Sequence, residues 1–183
     1  SLCVRKVRAS ARSIPNSSTY GPLPAFNIFC ASSYVKRLLE RMIDFSKRAG
    51  WDGDYLIYSP GWDRNDDYEG VKINGDYPTT EVYGKCPIFD EVPYGFKPYL
   101  FQAAIEADYT QVLYIDPSII MKRSPNELFL IAKQHGLCVF DNPGHPLWKW
   151  ISEAALKELG ISEEEIYSYP QIMACVILMD FTN

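Results

Sequence analysis

The feature that most constrains the fold is the stretch from Lys97 to Phe129, where an amphipathic helical pattern leads into a short apolar strand. The helix is predicted over Phe96–Ala107 and the strand over Val112–Ile115, and the carboxylate of Asp116 follows directly. In an open α/β sheet, ligands bind just outside the carboxyl ends of the strands. The stretch therefore predicts an α/β protein and makes Asp116 the first candidate for a functional residue.

The same alternation of apolar strands and amphipathic helices continues on both sides of this stretch. A buried strand is predicted over Ala25–Ala31, and it leads to a helix from Tyr34 to Ala49 that Gly50 ends. Because strands and helices alternate, we expect a mainly parallel sheet with helices on both faces. The other expected elements are strands at Tyr55–Tyr58, Leu137–Phe140 and Ala174–Met179, an extended piece at Ile119–Met121, helices from Ser124 and over Pro146–Leu159, and a turn capped by Ser162.

The length of 183 residues and the apolar content of 47% suit one globular domain. We expect residues 25–183 to form this domain and residues 1–24, which are basic, to form an arm or an edge segment. The segment Ser59–Pro93 is rich in Gly, Pro, Asp and Asn and is expected to be a long loop. Its acidic residues favour a solvated loop over a metal site: Asp63, Asp66, Asp67 and Glu69.

The net charge of −5 bears on the partners of the protein. No acidic residue precedes Glu40, so the body of the chain is more acidic than the total indicates. A nucleic-acid binder needs a basic face to neutralise phosphates, and nucleic acid is therefore not expected as a partner. No run approaches the roughly 20 apolar residues that a membrane helix requires, so no transmembrane segment is expected.

The five cysteines are widely spaced and form no C-x-x-C pair. Their number is odd and no histidine lies at zinc-ligand spacing, so reduced, mostly buried thiols are expected. One disulfide with a spare thiol is the alternative. Reduced thiols favour a reducing compartment, and we therefore expect a cytoplasmic location.

Three large α/β classes are weakened because their motifs are missing from the sequence. There is no G-x-x-x-x-G-K-S phosphate loop, no G-x-G-x-x-G after the first strand and no G-x-S-x-G elbow. His135 and His145 are the only histidines, which excludes a mechanism that needs several imidazoles. Any chemistry is expected to rest on carboxylates, a lysine and backbone groups.

The stretch from Lys97 to Phe129 resembles the nucleotide-sugar-dependent glycosyltransferases of the GT-A fold. In that superfamily an apolar strand ends in Asp-x-Asp and is followed by a β-branched pair and a helix that begins near a proline; here V-L-Y-I-D is followed by I-I and S-P-N-E-L-F. The similarity extends more loosely to the first strand and to Gln171–Asp180. It implies a GT-A-like, Rossmann-like domain. Such enzymes usually continue with elements that close the site, so we expect either a fragment that lacks these C-terminal elements or a minimal form.

The resemblance implies a donor site along the rim formed by the first strand and Asp116. In the superfamily the two carboxylates hold Mn²⁺ or Mg²⁺ against the donor diphosphate, where a hard cation neutralises the charge on the leaving group. The triplet here is Asp116-Pro117-Ser118, so the second carboxylate is missing and weakened metal binding at Asp116 and Ser118 is expected. Lys97 matches a basic residue that some of these enzymes place nearby, and a solvated lysine at a helix start is the alternative. The implied donor-binding residues are Cys30, Ala31, Ser32, Lys97, Asp116 and Ser118.

A second polar group follows the fourth predicted strand, on the rim that also carries Asp116. Asp141 or His145 is expected to assist the deprotonation of an acceptor hydroxyl, which would make them catalytic residues together with Asp116. The alternative is a simple turn, because Asn142-Pro143-Gly144 is turn chemistry in its own right.

Three further residues are candidates for acceptor binding: Asn142, Trp148 and Gln171. Trp148 and Trp150 suit stacking on sugar rings, but two positions apart on a predicted helix they face different ways, and one of them is expected in the core.

The resemblance thus implies an enzyme, a hexosyltransferase that moves a sugar from a nucleoside diphosphate sugar, most simply a UDP-sugar, to a hydroxyl of a glycan, a protein or a small molecule. A catalytically inactive relative that binds a nucleotide sugar or a glycan is one alternative, and the missing second Asp supports it. A nucleotidyltransferase-like α/β enzyme, which also uses acidic residues at strand ends, is another. It would consume nucleoside triphosphates instead of sugar nucleotides.

Overall fold

Strands and helices alternate along the computed structural model, which describes residues 27–31, 36–59, 71–87 and 91–182. A 3-10 turn at Leu147–Lys149 follows the seventh strand. The elements in chain order are β1 (Asn27–Ala31), α1 (Lys36–Arg48), β2 (Asp54–Tyr58), β3 (Val71–Asn74), β4 (Thr79–Thr80), β5 (Gly84–Lys85), α2 (Phe96–Glu106), β6 (Gln111–Ile115), α3 (Asn126–His135), β7 (Leu137–Pro146), α4 (Glu153–Leu159), α5 (Glu163–Ser168) and β8 (Pro170–Asp180).

Six of these strands form one mixed sheet in the order β3-β2-β1-β6-β8-β7, and β4 pairs with β5 in a small antiparallel sheet. Strands β3, β2, β1 and β6 run parallel, whereas β8 is antiparallel to both of its neighbours. The parallel pairing of β3, β2, β1 and β6 agrees with the expectation of a mainly parallel sheet, and the antiparallel β8 corrects it, since the sheet is mixed. The reason is that β7 ends at Pro146 opposite Pro170, where β8 begins, so the connection stays at one end of the sheet.

Helices cover both faces of the sheet, as the alternation predicts. On one face, apolar side chains of α1 and α3 pack with β2 and β6, among them Leu39, Ile43 and Phe129. On the other face, Leu100 and Ala104 of α2 pack against the opposite side chains of the same strands. Burying each large side chain contributes about 1.5–3 kcal/mol, and the two clusters together hold β6 in the middle of the molecule.

Several helix ends agree with the sequence prediction. Gly50 and Gly160, which follow α1 and α4, have φ angles of +88° and +64° that suit glycine. Ser162 caps α5 through a complete capping box with Glu165. These ends were predictable because each depends on residues within one helical turn.

Other predicted elements are wrong. The helix expected over Pro146–Leu159 is split into the 3-10 turn and α4, because the Ser152 hydroxyl caps a new helix by accepting from the Ala155 amide at 3.2 Å. Ile119–Met121 is irregular chain, and the loop expected over Ser59–Pro93 contains β3, β4 and β5 in its described part.

The pairing of β7 with β8 is irregular, and two shifts in it cancel. Val139 pairs with Ile177, Asp141 with Ile172, and Pro146 with Pro170. Between the first and second of these pairs the extra residues are on β8, and between the second and third pairs the same number of extra residues is on β7. β6 ends opposite Val176 of β8, so β7 and β8 extend as a ribbon beyond the carboxyl end of β6. Asn142-Pro143-Gly144 lies inside β7, which corrects the expectation of a simple turn after that strand.

Some expectations concern residues outside the described ranges: residues 1–24, Ser32, and the acidic group Asp63, Asp66, Asp67 and Glu69. In the ranges that the structure does describe, Cys86, Cys138 and Cys175 are free thiols, and Cys86 is buried. Among those residues no helix has both the length and the apolar character needed to cross a membrane.

Candidate functional site

Asp116 lies at the carboxyl end of β6, between β1 and β8. Its amide donates to the Cys175 carbonyl at 2.9 Å, and its own carbonyl accepts from the Ile119 amide at 2.9 Å. The parallel register that pairs Phe29 with Tyr114 brings the end of β1, at Ala31, level with Asp116. The backbone is thus held on both sides, and the carboxylate, which is 30% exposed, faces the rim.

Lys97, in the first turn of α2, lies beside this carboxylate. Its Nζ atom is 3.7 Å from Asp116 Oδ1 and donates a hydrogen bond of 2.6 Å to the Ala174 carbonyl on β8. The lysine side chain is only 11% exposed. The alternative of a solvated lysine at a helix start is therefore wrong, and the sheet and α2 bring Lys97 and Asp116 together.

Two tyrosines complete the surroundings of this pair. The Tyr114 hydroxyl donates to Asp116 Oδ1, and the Tyr114 ring lies 4.5 Å from Lys97 Nζ. The Tyr94 ring lies 5.5 Å from the same atom. An ammonium over aromatic faces is stabilised by the ring quadrupoles. We call Lys97, Tyr114 and Asp116 the charge centre.

Tyr114 was missed in the sequence, although the signal was present. Side chains two positions apart on a strand point to the same face, so the side chains of Tyr114 and Asp116 are expected on the same face of the sheet. The carbonyl of Ala174 had no sequence signal, because it is a backbone group 77 residues from Lys97.

Burial lowers the pKa of Lys97 from its ordinary value, and the charge of Asp116 opposes that effect. Burial also raises the pKa of the Cys175 thiol, and the neighbouring Asp116 raises it further. Cys175 is thus a neutral thiol beside an ion pair, and Lys97 supplies the positive charge of this rim.

The turn that leads into α2 has a restricted backbone. Tyr94 has a φ of +61°, in the left-handed region that a tyrosine rarely adopts. A Cβ on Gly95 would lie 2.6 Å from Val92 Cγ1, so a side chain at this position would displace Val92. The turn sets the start of α2 and with it the position of Lys97.

The described residues around Asp116 do not by themselves fit a divalent cation. Asp116 is a single carboxylate that already accepts from Tyr114 and faces an ammonium, and Ser118 is an exposed hydroxyl. Across the described ranges there is no group of three or more His, Cys, Asp or Glu side chains that could hold a metal ion. Mg²⁺ and Mn²⁺ sites are normally built from several oxygen ligands.

The remaining donor-side residues lie along the same rim or outside the description. Cys30 and Ala31 end β1 beside β6, and Ser118 follows two residues after Asp116. Asp180, which flanks the last strand, lies instead at the amino end of β6, where it accepts from Gln111 Nε2 at 2.6 Å. Asp180 therefore lies at the end of the sheet opposite to Asp116.

The predicted acceptor-side residues lie on the ribbon of β7 and β8 beyond Asp116. Asn142 Nδ2 donates to Gln171 Oε1 at 3.0 Å across the two strands. Asp141 pairs with Ile172, three β8 positions from the Cys175 carbonyl that holds Asp116, which is roughly 10 Å along the strand. Asp141 and Asp116 are thus at the same end of the sheet but not in contact.

Beside this ribbon is a pocket of about 500 Å³ between β7 and the end of α5. It is lined by residues that include Asp141, His145, Tyr167 and Ser168. The His145 ring lies 5.6 Å from the Trp150 ring, and the Trp148 ring lies 5.7 Å from Tyr167. We call this feature the aromatic pocket.

The expectation that one of the two tryptophans is in the core is wrong. Trp148 is 43% exposed and Trp150 is 60% exposed. Because the predicted helix is broken here, the argument from helical spacing does not apply to them.

No family model and no curated protein sequence matches the chain. A solved structure described as galactosyltransferase LgtC in complex with donor and acceptor sugar analogs is similar, with a TM-score of 0.52 and 12% sequence identity. The match covers 85% of this chain and 58% of the LgtC chain, so this chain spans less than two thirds of that protein's length. At this identity the likeness concerns the fold alone, and it shows that the chain shares the α/β fold of that structure.

Proposed function

We propose that the protein is a glycosyltransferase that moves a sugar from a nucleoside diphosphate sugar, most simply a UDP-sugar, to a hydroxyl acceptor. The observation that carries the proposal is the charge centre at the carboxyl end of β6, in a sheet of the GT-A type. This edge is where open α/β sheets bind their ligands. The similar solved structure is a galactosyltransferase with donor and acceptor sugar analogs, which supports the same class of chemistry.

In this proposal the donor lies along the rim between the end of β1, at Cys30, Ala31 and Ser32, and the positions Asp116 and Ser118. Asp116 accepts hydrogen bonds from hydroxyls of the donor. Lys97 offsets the charge of Asp116, so an anionic diphosphate meets a rim that is close to neutral. The Lys97 ammonium is held by the Ala174 carbonyl, and such preorganised groups stabilise developing charge without reorganising.

Transfer proceeds by exchange of one bond at the anomeric carbon. The acceptor oxygen forms a bond to that carbon, and the bond to the diphosphate oxygen breaks with its electron pair moving onto the diphosphate. The acceptor proton passes to Asp141 or His145, which we propose as the general base. Both residues lie on β7, at the same end of the sheet as Asp116.

The test is hydrolysis of UDP-glucose and UDP-galactose, followed as release of UDP, in wild type and in Asp116→Asn. We expect the variant to lose roughly 100-fold in rate, because it removes the carboxylate that accepts from the donor hydroxyls and faces Lys97. Asp52→Asn is the matched control, since Asp52 is exposed and precedes the amino end of β2, at the end of the sheet opposite to Asp116. Equal rates in wild type and Asp116→Asn would contradict the proposed role of Asp116.

A titration with UDP, with and without Mn²⁺, accompanies this assay. Because the described donor set does not fit a protein-held cation, we expect the affinity for UDP to be the same in both buffers. An affinity that rises with Mn²⁺ and falls in Asp116→Asn would instead support the Mn²⁺ or Mg²⁺ that the family resemblance implies.

A catalytically inactive protein that binds nucleotide sugars or glycans is the second candidate. The pairing of Asp116 with Lys97, together with Ser118 in place of a second carboxylate, favours it. UDP binding without hydrolysis of any sugar nucleotide would establish this candidate. Consumption of a nucleoside triphosphate would indicate a nucleotidyltransferase.

A further inference from the structure

Four large aromatic side chains are exposed in or beside the aromatic pocket. Tyr167 and Tyr169 line it, Trp148 contacts Tyr167, and Trp150 contacts the lining His145. Trp148, Trp150, Tyr167 and Tyr169 are 43%, 60%, 66% and 49% exposed. They come from the 3-10 turn, the residue after it and the end of α5, which brings them together through the contacts of α5 with that turn. A group of exposed aromatic rings on a globular domain indicates a binding surface, because a surface without a partner seldom exposes several large rings beside one pocket.

Polar groups lie between these rings. The pocket is lined by the Asp141 carboxylate, the His145 imidazole and the Ser168 side chain. Asn142 is fixed by its hydrogen bond to Gln171 across the ribbon. The site therefore offers both ring faces and hydrogen-bonding groups, and its volume of about 500 Å³ suits a small molecule or a few units of a polymer better than a folded partner.

A sugar ring has the complementary chemistry. One face of a pyranose presents C–H groups that pack on an aromatic ring, and its edge presents hydroxyls that donate to carboxylates and accept from imidazole or amide groups. An apolar peptide would leave Asp141 and His145 without partners, which costs free energy when they lose water.

We propose that the aromatic pocket binds an oligosaccharide, and that this oligosaccharide is the acceptor of the reaction. The claim that a glycan binds depends on the pocket alone, and the claim that this glycan is the acceptor rests on the proposed function. The pocket begins roughly 10 Å beyond Asp116 along β8, a distance longer than one sugar ring. The acceptor is therefore a chain of sugars, with its terminal unit between the charge centre and Asp141 and an inner unit against Tyr167 and the neighbouring Trp150.

The test is binding of oligosaccharides without any nucleotide. A broad glycan array identifies the best tetrasaccharide, and tryptophan fluorescence then gives its affinity in solution and that of the corresponding monosaccharide. We expect the tetrasaccharide to bind at least ten times more tightly than the monosaccharide. Trp150→Ala and Tyr167→Ala should each weaken it at least tenfold, whereas Trp150→Phe, which keeps a ring, should retain most of the affinity.

Tyr83→Ala is the matched control, because Tyr83 is 52% exposed and lies beside the small β4–β5 sheet instead of the pocket. This variant should bind as wild type does. Equal affinity in wild type, Trp150→Ala and Tyr167→Ala would overturn the pocket as the site, and so would an array with no binding. A wild-type dimer that Trp150→Ala dissociates in sedimentation would also overturn the proposal, since the rings would then form an interface between copies.

The failure of this inference and of the proposed function can be told apart. Glycan binding that depends on Trp150, in a protein that hydrolyses no sugar nucleotide, would refute the enzyme and leave the pocket. Hydrolysis lost in Asp116→Asn, in a protein that binds no glycan, would do the reverse.

Discussion

The charge centre and the aromatic pocket lie at the same end of the sheet, but they differ in what holds them in place. Lys97 is 11% exposed and is fixed by β6, β8 and the two tyrosines, whereas Trp150 is 60% exposed and has the His145 ring as its neighbour. The first is built into the central strands of the fold and the second on its surface. A mutation at the charge centre should therefore disturb both stability and ligand binding, and one at the pocket should disturb binding alone.

The largest expected effect tests the core on the face of the sheet opposite to Tyr114 and α2. Phe129 is 1% exposed and stacks on Trp51 with 5.5 Å between ring centroids. Phe129→Ala should lower the free energy of unfolding by about 3–5 kcal/mol, because it leaves a cavity under the sheet. Trp150→Ala should change it by no more than about 0.5 kcal/mol. Urea unfolding measures both, and similar losses would break the comparison.

An intermediate effect is expected at Lys97 itself. Lys97→Met removes the charged hydrogen bond to the Ala174 carbonyl, which by itself should lower the free energy of unfolding by about 1.5–3 kcal/mol. The variant recovers part of this loss because it no longer buries an ammonium group. Burial lowers the pKa of Lys97 in the folded protein below its ordinary value of 10.5. Between the folded pKa and 10.5 the unfolded chain binds more protons, so stability rises with pH in that window.

The measurement for Lys97 is urea unfolding of wild type and Lys97→Met from pH 7 to about pH 10.5, the ordinary pKa of lysine. The advantage of wild type over the variant should grow with pH, because the cost of burying the charge disappears as the lysine loses its proton. An advantage that shrinks with pH would mean that Asp116 outweighs burial and raises the pKa of Lys97. The stability of the charge centre would then depend on the ion pair of Lys97 with Asp116.

The smallest effect concerns the helix beneath the pocket rings. The Ser162 hydroxyl accepts from the Glu165 amide at 3.2 Å and completes a capping box. Ser162→Ala should cost about 1 kcal/mol, and Ser162→Asp should restore most of it. Thermal unfolding measures the cost. A several-fold loss of oligosaccharide affinity in Ser162→Ala would show that the order of α5 also matters for the pocket.

The helix ends and β6 could be predicted from the sequence because their determinants are local. Gly50, Gly160 and the Ser162 box each act within a helical turn, and the apolar run before Asp116 needs only a buried position. The direction of β8 could not be predicted, because a strand's apolar pattern is the same in parallel and antiparallel pairing. That direction depends on where the preceding connection returns to the sheet.

The position of Asp116 was predicted from the sequence, its surroundings were not, and its role stays a prediction. Asp116 at the end of β6 follows from the strand pattern, but the burial of Lys97 depends on the Ala174 carbonyl and on the Tyr94 turn, which only the folded chain brings together. Trp148 and Trp150 were assigned to a continuous helix because the periodicity does not reveal that Ser152 starts a new one. The roles of Asp141, His145, Asn142 and Gln171 stay predictions.

The cancelling shifts between β7 and β8 have a consequence for how the length of the ribbon can change. Val139 with Ile177 at its base and Pro146 with Pro170 at its tip share one register, although Asp141 with Ile172 between them does not. Because side chains alternate along a strand, deleting one residue from β7 alone would turn every later side chain to the opposite side. Deleting two residues from each strand would keep both the register and the direction in which the side chains of the tip point. Natural variation in this ribbon should therefore consist of paired length changes, which gives it a way to reach different ligands without altering the sheet behind it.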